Sequence, residues 1–308
     1  MLQTFDERNR DLQVWINGRL THRDEARVSP FDSLVQGGDG VWEGLRLHDG
    51  RIFALTEHLA RLRRSAKALA FTEIPSDEDV IGAIRETLAA NDMRDDVHIR
   101  LTLGRGEKIT SGMDPRLNQA GPTLIVLAEF KPPVYDAGGI TLVTSSVRRH
   151  RADSLDPKIH HNNLLTSILA KIEANVAGAD DALMLDDAGY IAETNATHVF
   201  HVAGGVLRTS TTRACPEGIT RATVLDLAAE AGIPTSVGDF SLTDLYTADE
   251  AFVTGTMGGL APVLSVDGRP IGAGTTADGG PASGPGPVTA LLTSAYADLT
   301  ATSGTPVC

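Results

Sequence analysis

Two short pairs that end in glycine restrict the fold of this chain more than any other local feature. Asn17-Gly18 separates strand-like residues 12–16 from 19–21, and Asp49-Gly50 separates residues 41–47 from 51–55. Both pairs supply the positive φ angles that a two-residue β-hairpin turn requires. The start of the chain therefore predicts antiparallel strands rather than parallel strands joined by crossover helices.

The remaining pattern predicts two domains. Short strand-like runs outnumber helical patterns, and several are joined by Asp/Gly turns, which favours an α+β fold over a doubly wound parallel sheet. Lys131-Pro132-Pro133 interrupts regular structure between two strands and is the best boundary in the sequence. We therefore predict a smaller N-terminal domain over residues 1–131, a linker over 132–137 and a larger C-terminal domain over 138–308. Residues 272–287 are rich in Gly, Pro, Ser and Thr and predict a mobile surface loop.

Charge and composition narrow the classes of partner. The 308 residues carry a net charge of −13, which opposes binding to nucleic acid or to anionic membranes. No apolar run approaches the roughly 18 residues of a membrane-spanning helix. The first residues are polar and contain no apolar signal core. Two cysteines without CxxC spacing fit a reducing cytoplasm.

Lys158 is the first candidate for chemistry. The chain contains only five lysines, and Lys158 lies just before a strongly apolar helical pattern. A lysine amine in a desolvated pocket becomes a nucleophile that can form a Schiff base with a carbonyl. The alternative is an ordinary solvated loop lysine. The helical pattern that follows predicts a buried helix face made of Leu165, Ile168, Leu169, Ile172 and Val176.

Several common kinds of site are absent from the sequence. It contains no G-x-G-x-x-G after a strand, no phosphate-binding P-loop and no G-x-S-x-G elbow. The adjacent histidines His160 and His161 lack metal-ligand spacing, and we expect no metal site. Hydrogen-bonded positions at a helix start are the simpler interpretation of this pair.

The remaining candidates match the needs of pyridoxal 5'-phosphate. Lys158 offers the amine, and Glu193 at a strand end offers a carboxylate for the ring nitrogen. Gly218-Ile219-Thr220 begins a helix, where backbone N–H groups can hold a phosphate. Gly255-Thr256-Met257 is a second turn suited to an anion.

Several motifs, in order from about Trp15 to Ala297, resemble those of the class IV (fold type IV) pyridoxal-phosphate aminotransferases, especially the branched-chain amino acid aminotransferases. Gly40-Val41-Trp42-Glu43-Gly44-Leu45-Arg46 is similar to the family strand G-x-F-E-G-[IL]-R. Glu57-His58-Leu59-Ala60-Arg61-Leu62 resembles E-H-x-x-R-L. The later matches are Lys158, Ala192-Glu193, Glu217-Gly218-Ile219-Thr220-Arg221, Ala248-Asp249-Glu250-Ala251-Phe252 and Gly255-Thr256.

This resemblance implies roles for individual residues. Lys158 would carry the cofactor and act as the general base, and Glu193 would pair with the ring nitrogen. The phosphate would be bound by Arg61, Gly218, Ile219, Thr220 and Thr256. The resemblance also implies two α/β domains with the active site between them, a homodimer that completes each site, and a ping-pong reaction between an amino donor and a 2-oxoacid acceptor.

The substrate is less constrained, because the chain departs from the branched-chain pattern. Gly37 stands where those enzymes usually have Tyr, the segment His160 to Asn163 replaces another Tyr, and His198 replaces an Asn. Branched-chain L-amino acids fit best as donors, because the Arg-x-His carboxylate trap of the D-specific enzymes is missing after Gly104-Arg105-Gly106. Arginines near the cofactor favour a dicarboxylate such as 2-oxoglutarate as the acceptor. The candidate substrate-binding residues are Gly37, Trp42, Arg46, His98, Arg100 and Met257.

Three alternatives remain open. The arginines Arg46 and Arg100 can bind a substrate carboxylate, or they can form structural ion pairs with some of the 40 acidic residues. A D-amino acid or (R)-amine transaminase of the same fold would use the same cofactor set. A lyase similar to aminodeoxychorismate lyase would need no amino acceptor.

Overall fold

The computed structural model describes residues 3–135, 138–272 and 284–308. Its described residues form two compact units, and each has its own sheet and core. Within these residues, no helix has both the length and the apolar composition needed to cross a membrane. Most of the predicted mobile loop at residues 272–287 lies outside the described part of the chain.

The N-terminal unit is built on an antiparallel sheet. Its strands up to Pro132 are β1 (Gln13–Ile16), β2 (Arg19–His22), β3 (Gly40–His48), β4 (Arg51–Ile52), β5 (Val97–Gly104) and β6 (Thr123–Phe130). Its helices are α1 (Ser33–Gly37), α2 (Leu55–Ala68) and α3 (Asp77–Ala90), with short 3-10 turns at Glu7–Asn9 and Pro115–Leu117.

Both predicted hairpins are present. Asn17 and Gly18 have φ angles of 46° and 84°, and Asp49 and Gly50 have 43° and 74°. They join β1 to β2 and β3 to β4 in antiparallel register. The α2 residues Leu59, Leu62 and Ala66 face the core, as the sequence periodicity predicts.

The C-terminal unit contains a larger mixed sheet. Its strands are β7 (Ile140–Thr144), β8 (Asp181–Leu185), β9 (Ile191–Thr194), β10 (His198–Ala203), β11 (Val206–Thr209), β12 (Thr235–Val237), β13 (Glu250–Gly255), β14 (Gly259–Val266) and β15 (Arg269–Pro270). Its helices are α4 (Leu165–Ala177), α5 (Ile219–Glu230), α6 (Leu242–Tyr246) and α7 (Pro287–Thr302). In the described residues, β7 pairs in parallel with β8 and β14, and β11 with β12; the other ladders are antiparallel. The α+β prediction is confirmed.

The two units are not contiguous stretches of the chain. Residues Ile159–Asn163 and Thr300–Cys308 belong to the N-terminal unit, whereas Pro133–Lys158 and Leu164–Leu299 form the C-terminal unit. The final strand, β16 (Thr305–Pro306), pairs with β4 at the edge of the first sheet. The chain therefore changes unit immediately after Lys158, which the predicted division at residues 132–137 did not anticipate.

The predicted burial of the apolar face of α4 is wrong. The exposed fractions of Leu165, Ile168, Leu169, Ile172 and Val176 lie between 46% and 85%. The helix instead packs through the small residues Ala170 and Ala174, which are fully buried beside Ala182 and Met184 of β8. Alanine lets the helix approach the strand closely and leaves the larger side chains on the outer face.

Candidate active site

Lys158 lies in a turn and is the last residue of the segment Pro133–Lys158, which belongs to the C-terminal unit. Its side chain is exposed, and its backbone N–H donates to the Asp156 carboxylate at 3.0 Å. Side chains of the protein alone therefore do not supply the desolvation expected for a nucleophilic lysine amine.

The segment after Lys158 is attached to β3. The Trp42 N–H donates to the His160 carbonyl at 3.0 Å, and the Asn162 N–H donates to the Gly40 carbonyl at 2.9 Å. His160 also stacks on the Trp42 ring, with centroids 4.3 Å apart. These residues, which differ from the branched-chain pattern, thus extend the edge of β3 for a short distance and fix the backbone that follows the lysine.

Glu193 lies on β9 and is held by an arginine that the sequence analysis did not identify. Arg149 Nη2 is 2.6 Å from Glu193 Oε1, and both side chains are largely buried. His198 Nδ1 on β10 lies 3.7 Å from the other carboxylate oxygen, Oε2. A buried Arg–carboxylate pair keeps the carboxylate ionised and oriented. This is the form that can stabilise a protonated ring nitrogen.

Cys215 completes a compact group with Glu193 and His198. One ligand atom from each residue lies within 4.8 Å of the others, so the spacing would suit a metal ion. Burial raises the pKa of the Cys215 thiol to about 12, however, and the thiolate is the form that ligates metals. Arg149 also adds a positive charge beside Glu193. The protonated thiol and the adjacent arginine both disfavour a divalent metal at this group, and the absence of a metal stays a prediction.

The predicted phosphate turn is the start of α5. Gly218 is its N-cap residue, and no side chain caps the helix there. A Cβ at Gly218 would overlap the His198 ring. Glycine is therefore required for the backbone to pass this close to His198, and the helix start, with its positive dipole end, stays open to an anion.

The Gly255-Thr256-Met257 turn follows the end of β13. Thr256 and Met257 are half-buried, and both lie between two paired strands, β13 and β14. The preceding residue, Thr254, has a buried hydroxyl without a hydrogen-bond partner in the described residues. A buried polar atom that lacks a partner at this point is a feature expected of a ligand site.

Arg61 is buried and bound by two hydrogen bonds to Glu43. The distances are 2.8 Å from Nε to Oε1 and 2.6 Å from Nη2 to Oε2. His58 Nδ1 lies 2.7 Å from the same carboxylate. The family resemblance assigns Arg61 to the phosphate. Glu43 orients its guanidinium from inside the fold.

The candidate substrate residues of β3 and β5 share one face of the sheet. Trp42 pairs with Thr102, Gly44 with Arg100 and Arg46 with His98, and directly opposed residues of antiparallel strands point to the same side. Gly44 leaves room between the side chains, since an added Cβ would lie 3.4 Å from both Trp42 and His98.

The basic groups on this face have different surroundings. Arg46 donates to the Lys131 carbonyl at 2.6 Å and to Asp96 at 3.2 Å, which is the structural ion pair considered as the alternative. Burial lowers the pKa of His98 to about 3, so this ring is neutral at ordinary pH. Arg100 lies over the Trp42 ring, 3.6 Å from its centroid, and donates to Asn162 at 3.0 Å.

Gly37 ends the short helix α1, and an added Cβ there would meet no atom within 4 Å. Arg149, Glu43 and Asn162 hold candidate site residues in position, and the sequence did not reveal this role. Glu43 was within a quoted motif and Asn162 within the segment His160 to Asn163, whereas Arg149 carried no local signal.

The donor set of the C-terminal unit fits pyridoxal phosphate. The buried Glu193–Arg149 pair suits the ring nitrogen, and the uncapped α5 start with its crowded glycine suits the phosphate. The unpartnered Thr254 hydroxyl adds a polar group beside the second turn.

Gly218→Ala tests this assignment. The new methyl group must displace the His198 ring or the start of α5, so we expect cofactor affinity to fall about ten-fold or more. The measurement is titration of the apoprotein with pyridoxal phosphate, followed by visible absorbance. Gly238→Ala is the control, because its Cβ would meet no atom within 4 Å. Equal affinities for both variants would remove the α5 start from the phosphate site.

Comparisons with known proteins agree with this geometry. The family model described as Amino-transferase class IV matches residues 40–266. The branched-chain-amino-acid aminotransferase-like protein 1 of Arabidopsis thaliana is 52% identical over 97% of this chain, although the chain spans only 52% of that relative. A putative branched-chain-amino-acid aminotransferase of Methanocaldococcus jannaschii is 42% identical over 84% of this chain and 90% of its own length.

A solved structure extends the similarity to the whole fold. The branched-chain amino acid aminotransferase of Thermobaculum terrenum, in its PLP-form (holo-form), superposes with a TM-score of 0.82 at 27% identity and 95% coverage of both chains. The chain belongs to the class IV aminotransferases, a family of pyridoxal-phosphate enzymes of fold type IV.

Proposed function

We propose that this protein transfers an amino group between a branched-chain-type L-amino acid and 2-oxoglutarate by a ping-pong mechanism. The names of the relatives support the branched-chain part of the proposal. The observation that supports 2-oxoglutarate as the acceptor concerns Arg100, a half-buried cation that has no carboxylate partner among the described residues.

Four arginines that are buried or half-buried, Arg46, Arg61, Arg100 and Arg149, differ in how their charge is compensated. Arg46, Arg61 and Arg149 each lie within salt-bridge distance of a carboxylate. In the part of the chain that the structure describes, Arg100 has no such partner, and burial lowers its pKa to about 10. Glu43 acts on Arg100 only from a distance and is itself bound to Arg61. A substrate carboxylate would compensate the Arg100 charge, and its planar fork suits that group.

The remaining roles follow the chemistry of the cofactor, which supplies a ring that accepts electrons from the reacting carbon. Lys158 Nζ would take the proton from the α-carbon of the donor and deliver it to the cofactor carbon within the same half-reaction, and it would carry out the reverse transfer with the acceptor. Glu193, oriented by Arg149, stabilises positive charge at the ring nitrogen. Arg61 and the start of α5, with Thr256, bind the phosphate. The neutral His98 contributes at most a hydrogen bond.

We propose that the donor side chain, of leucine or valine size, binds apolar surface, for which Trp42 and Met257 are the candidates implied by the family resemblance. An added Cβ at Gly37 would meet no atom within 4 Å, so this position leaves open space. This space is the observation that favours the second candidate, a D-amino acid or (R)-amine transaminase. Arg105 weighs against it, because Asp39 and the Leu69 carbonyl already bind its guanidinium.

We also propose a homodimer that docks through the outer face of α4. Its row of large apolar side chains carries no charge, so a second copy would meet no like charge there despite the net charge of −13. A stable interface buries about 800 Å² on each partner, with an apolar centre. The cytoplasmic location suggested by the cysteines stays a prediction.

Lys158→Ala should remove the visible absorbance of the bound cofactor while circular dichroism shows a folded protein. Borohydride reduction and mass spectrometry of the wild-type protein should place the cofactor on Lys158. Lys171→Ala is the control, since Lys171 pairs with Asp181 at 3.0 Å. Retention of the band in Lys158→Ala, or a label on another lysine, would overturn the assignment.

Arg100→Gln should raise KM for 2-oxoglutarate by roughly ten- to a hundred-fold, because a hydrogen bond to a charged group contributes about 1.5–3 kcal/mol. KM for pyruvate, which lacks the second carboxylate, should change little. Arg46→Gln should lower thermal stability instead.

The donor preference is tested with a panel of L- and D-amino acids and (R)-amines, each assayed with 2-oxoglutarate and with pyruvate as acceptor. Turnover of D-alanine or an (R)-amine, but not of L-leucine, L-valine or L-isoleucine, would support the second candidate.

The double variant Ile168→Glu/Ile172→Glu places charge on the outer face of α4 and should shift the protein from dimer to monomer. Light scattering coupled to size exclusion measures this mass. Leu291→Glu, at an exposed apolar residue of α7, should leave the dimer intact. A dimeric double variant would show that another surface mediates assembly.

A further inference from the structure

Arg100 is held by residues that are not its neighbours in the sequence. Its guanidinium carbon lies 3.6 Å from the centroid of the Trp42 ring, and its Nη2 donates to Asn162 Oδ1 at 3.0 Å. Asn162 lies four positions after Lys158, within the segment that is attached to β3. The side chain of the acceptor-binding arginine is thus fixed partly by the segment that follows the catalytic lysine.

The Trp42 ring is itself fixed by the same segment. Its indole Nε1 donates to the His161 carbonyl at 3.1 Å, and its ring stacks on His160 at an interplanar angle of 25°. His160 Nδ1 lies 2.6 Å from the Trp42 carbonyl. The Trp42 ring, on which the Arg100 guanidinium lies, is therefore held in one orientation.

These contacts leave a defined part of the guanidinium for a ligand. Trp42 covers one face of the fork, and Asn162 accepts from a single nitrogen. In residues 3–135, 138–272 and 284–308, no other hydrogen bond from the Arg100 side chain is present. The donors that remain lie in one fixed plane, which is the arrangement that binds a carboxylate through two parallel hydrogen bonds. A free arginine would have to lose rotamer freedom before it could bind in this way.

We propose that Asn162 and Trp42 are positioning residues that aim Arg100 at the distal carboxylate of a dicarboxylic 2-oxoacid, and so set the preference for this acceptor class over monocarboxylic 2-oxoacids. This inference rests on the proposed function, because it requires Arg100 to bind the acceptor. It adds that selectivity depends on two residues that do not themselves contact the distal carboxylate.

The central experiment uses Asn162→Ala in the holoenzyme, with Asn163→Ala as the matched control. Asn163 is the adjacent amide, and its side chain donates to the Gly38 carbonyl rather than to Arg100. For Asn162→Ala we expect KM for 2-oxoglutarate to rise about ten-fold, with KM for pyruvate and the rate of the half-reaction with L-leucine within about two-fold of wild type. Asn163→Ala should leave all three values near wild type.

Binding of glutarate gives a readout that needs no turnover. This unreactive dicarboxylate should bind the Asn162→Ala holoenzyme about ten-fold more weakly in calorimetry. Asn162→Asp provides a second variant, because its new carboxylate would pair with Arg100 and compete with glutarate more strongly than alanine does. Trp42→Phe, which keeps a ring but loses the bond to His161, should also weaken glutarate binding.

The outcomes separate this inference from the proposed function. If Arg100→Gln leaves the use of 2-oxoglutarate and the binding of glutarate unchanged, the acceptor assignment fails and this inference fails with it. If Arg100→Gln weakens both but Asn162→Ala and Asn162→Asp match Asn163→Ala, only the positioning role is overturned. The positioning role is also overturned if Asn162→Ala impairs the reactions with 2-oxoglutarate, pyruvate and L-leucine equally. Such a result would indicate a general effect on the segment that follows Lys158.

Discussion

The Glu43 carboxylate is the group on which the N-terminal unit depends. It is fully buried, and burial alone would raise its pKa; the nearby His160 and the hydrogen bonds from Arg61 and His58 more than offset this effect, so its pKa lies well below the ordinary value. An ionised, buried carboxylate is stable only while its partners remain in place. Glu43 thereby joins its own strand β3 to helix α2 and to the segment after Lys158, since each of these two elements contributes a partner.

A similar arrangement recurs at Glu193 in the C-terminal unit. There Arg149 occupies one carboxylate oxygen, and His198 lies near the other. In both units a buried carboxylate is oriented by an arginine, but the proposed chemistry is reversed. Under the proposed function, Glu43 would orient Arg61 toward the phosphate, whereas Arg149 would orient Glu193 toward the ring nitrogen. The same kind of ion pair would then present either sign of charge.

Local sequence signals predicted the parts of the structure that depend on local geometry. The Asn17-Gly18 and Asp49-Gly50 turns require positive φ angles, and the α2 periodicity marks its buried face, so both could be recognised. The apolar face of α4 was misassigned, because periodicity shows that a face is apolar but not whether it packs on its own domain. Arg46 and Arg100 could not be distinguished in the sequence either. The difference between them depends on Asp96 and Asn162, which long-range pairing brings near them.

The discontinuous N-terminal unit has a consequence for synthesis on the ribosome. The edge of β3 that receives His160 to Asn162, and the edge of β4 that receives β16, are both completed by residues far downstream. Until those residues emerge, the nascent first sheet exposes backbone groups that can pair with other strands. Folding of this unit therefore finishes only after most of the second unit has been translated, and a fragment ending at Pro132 would keep two open strand edges.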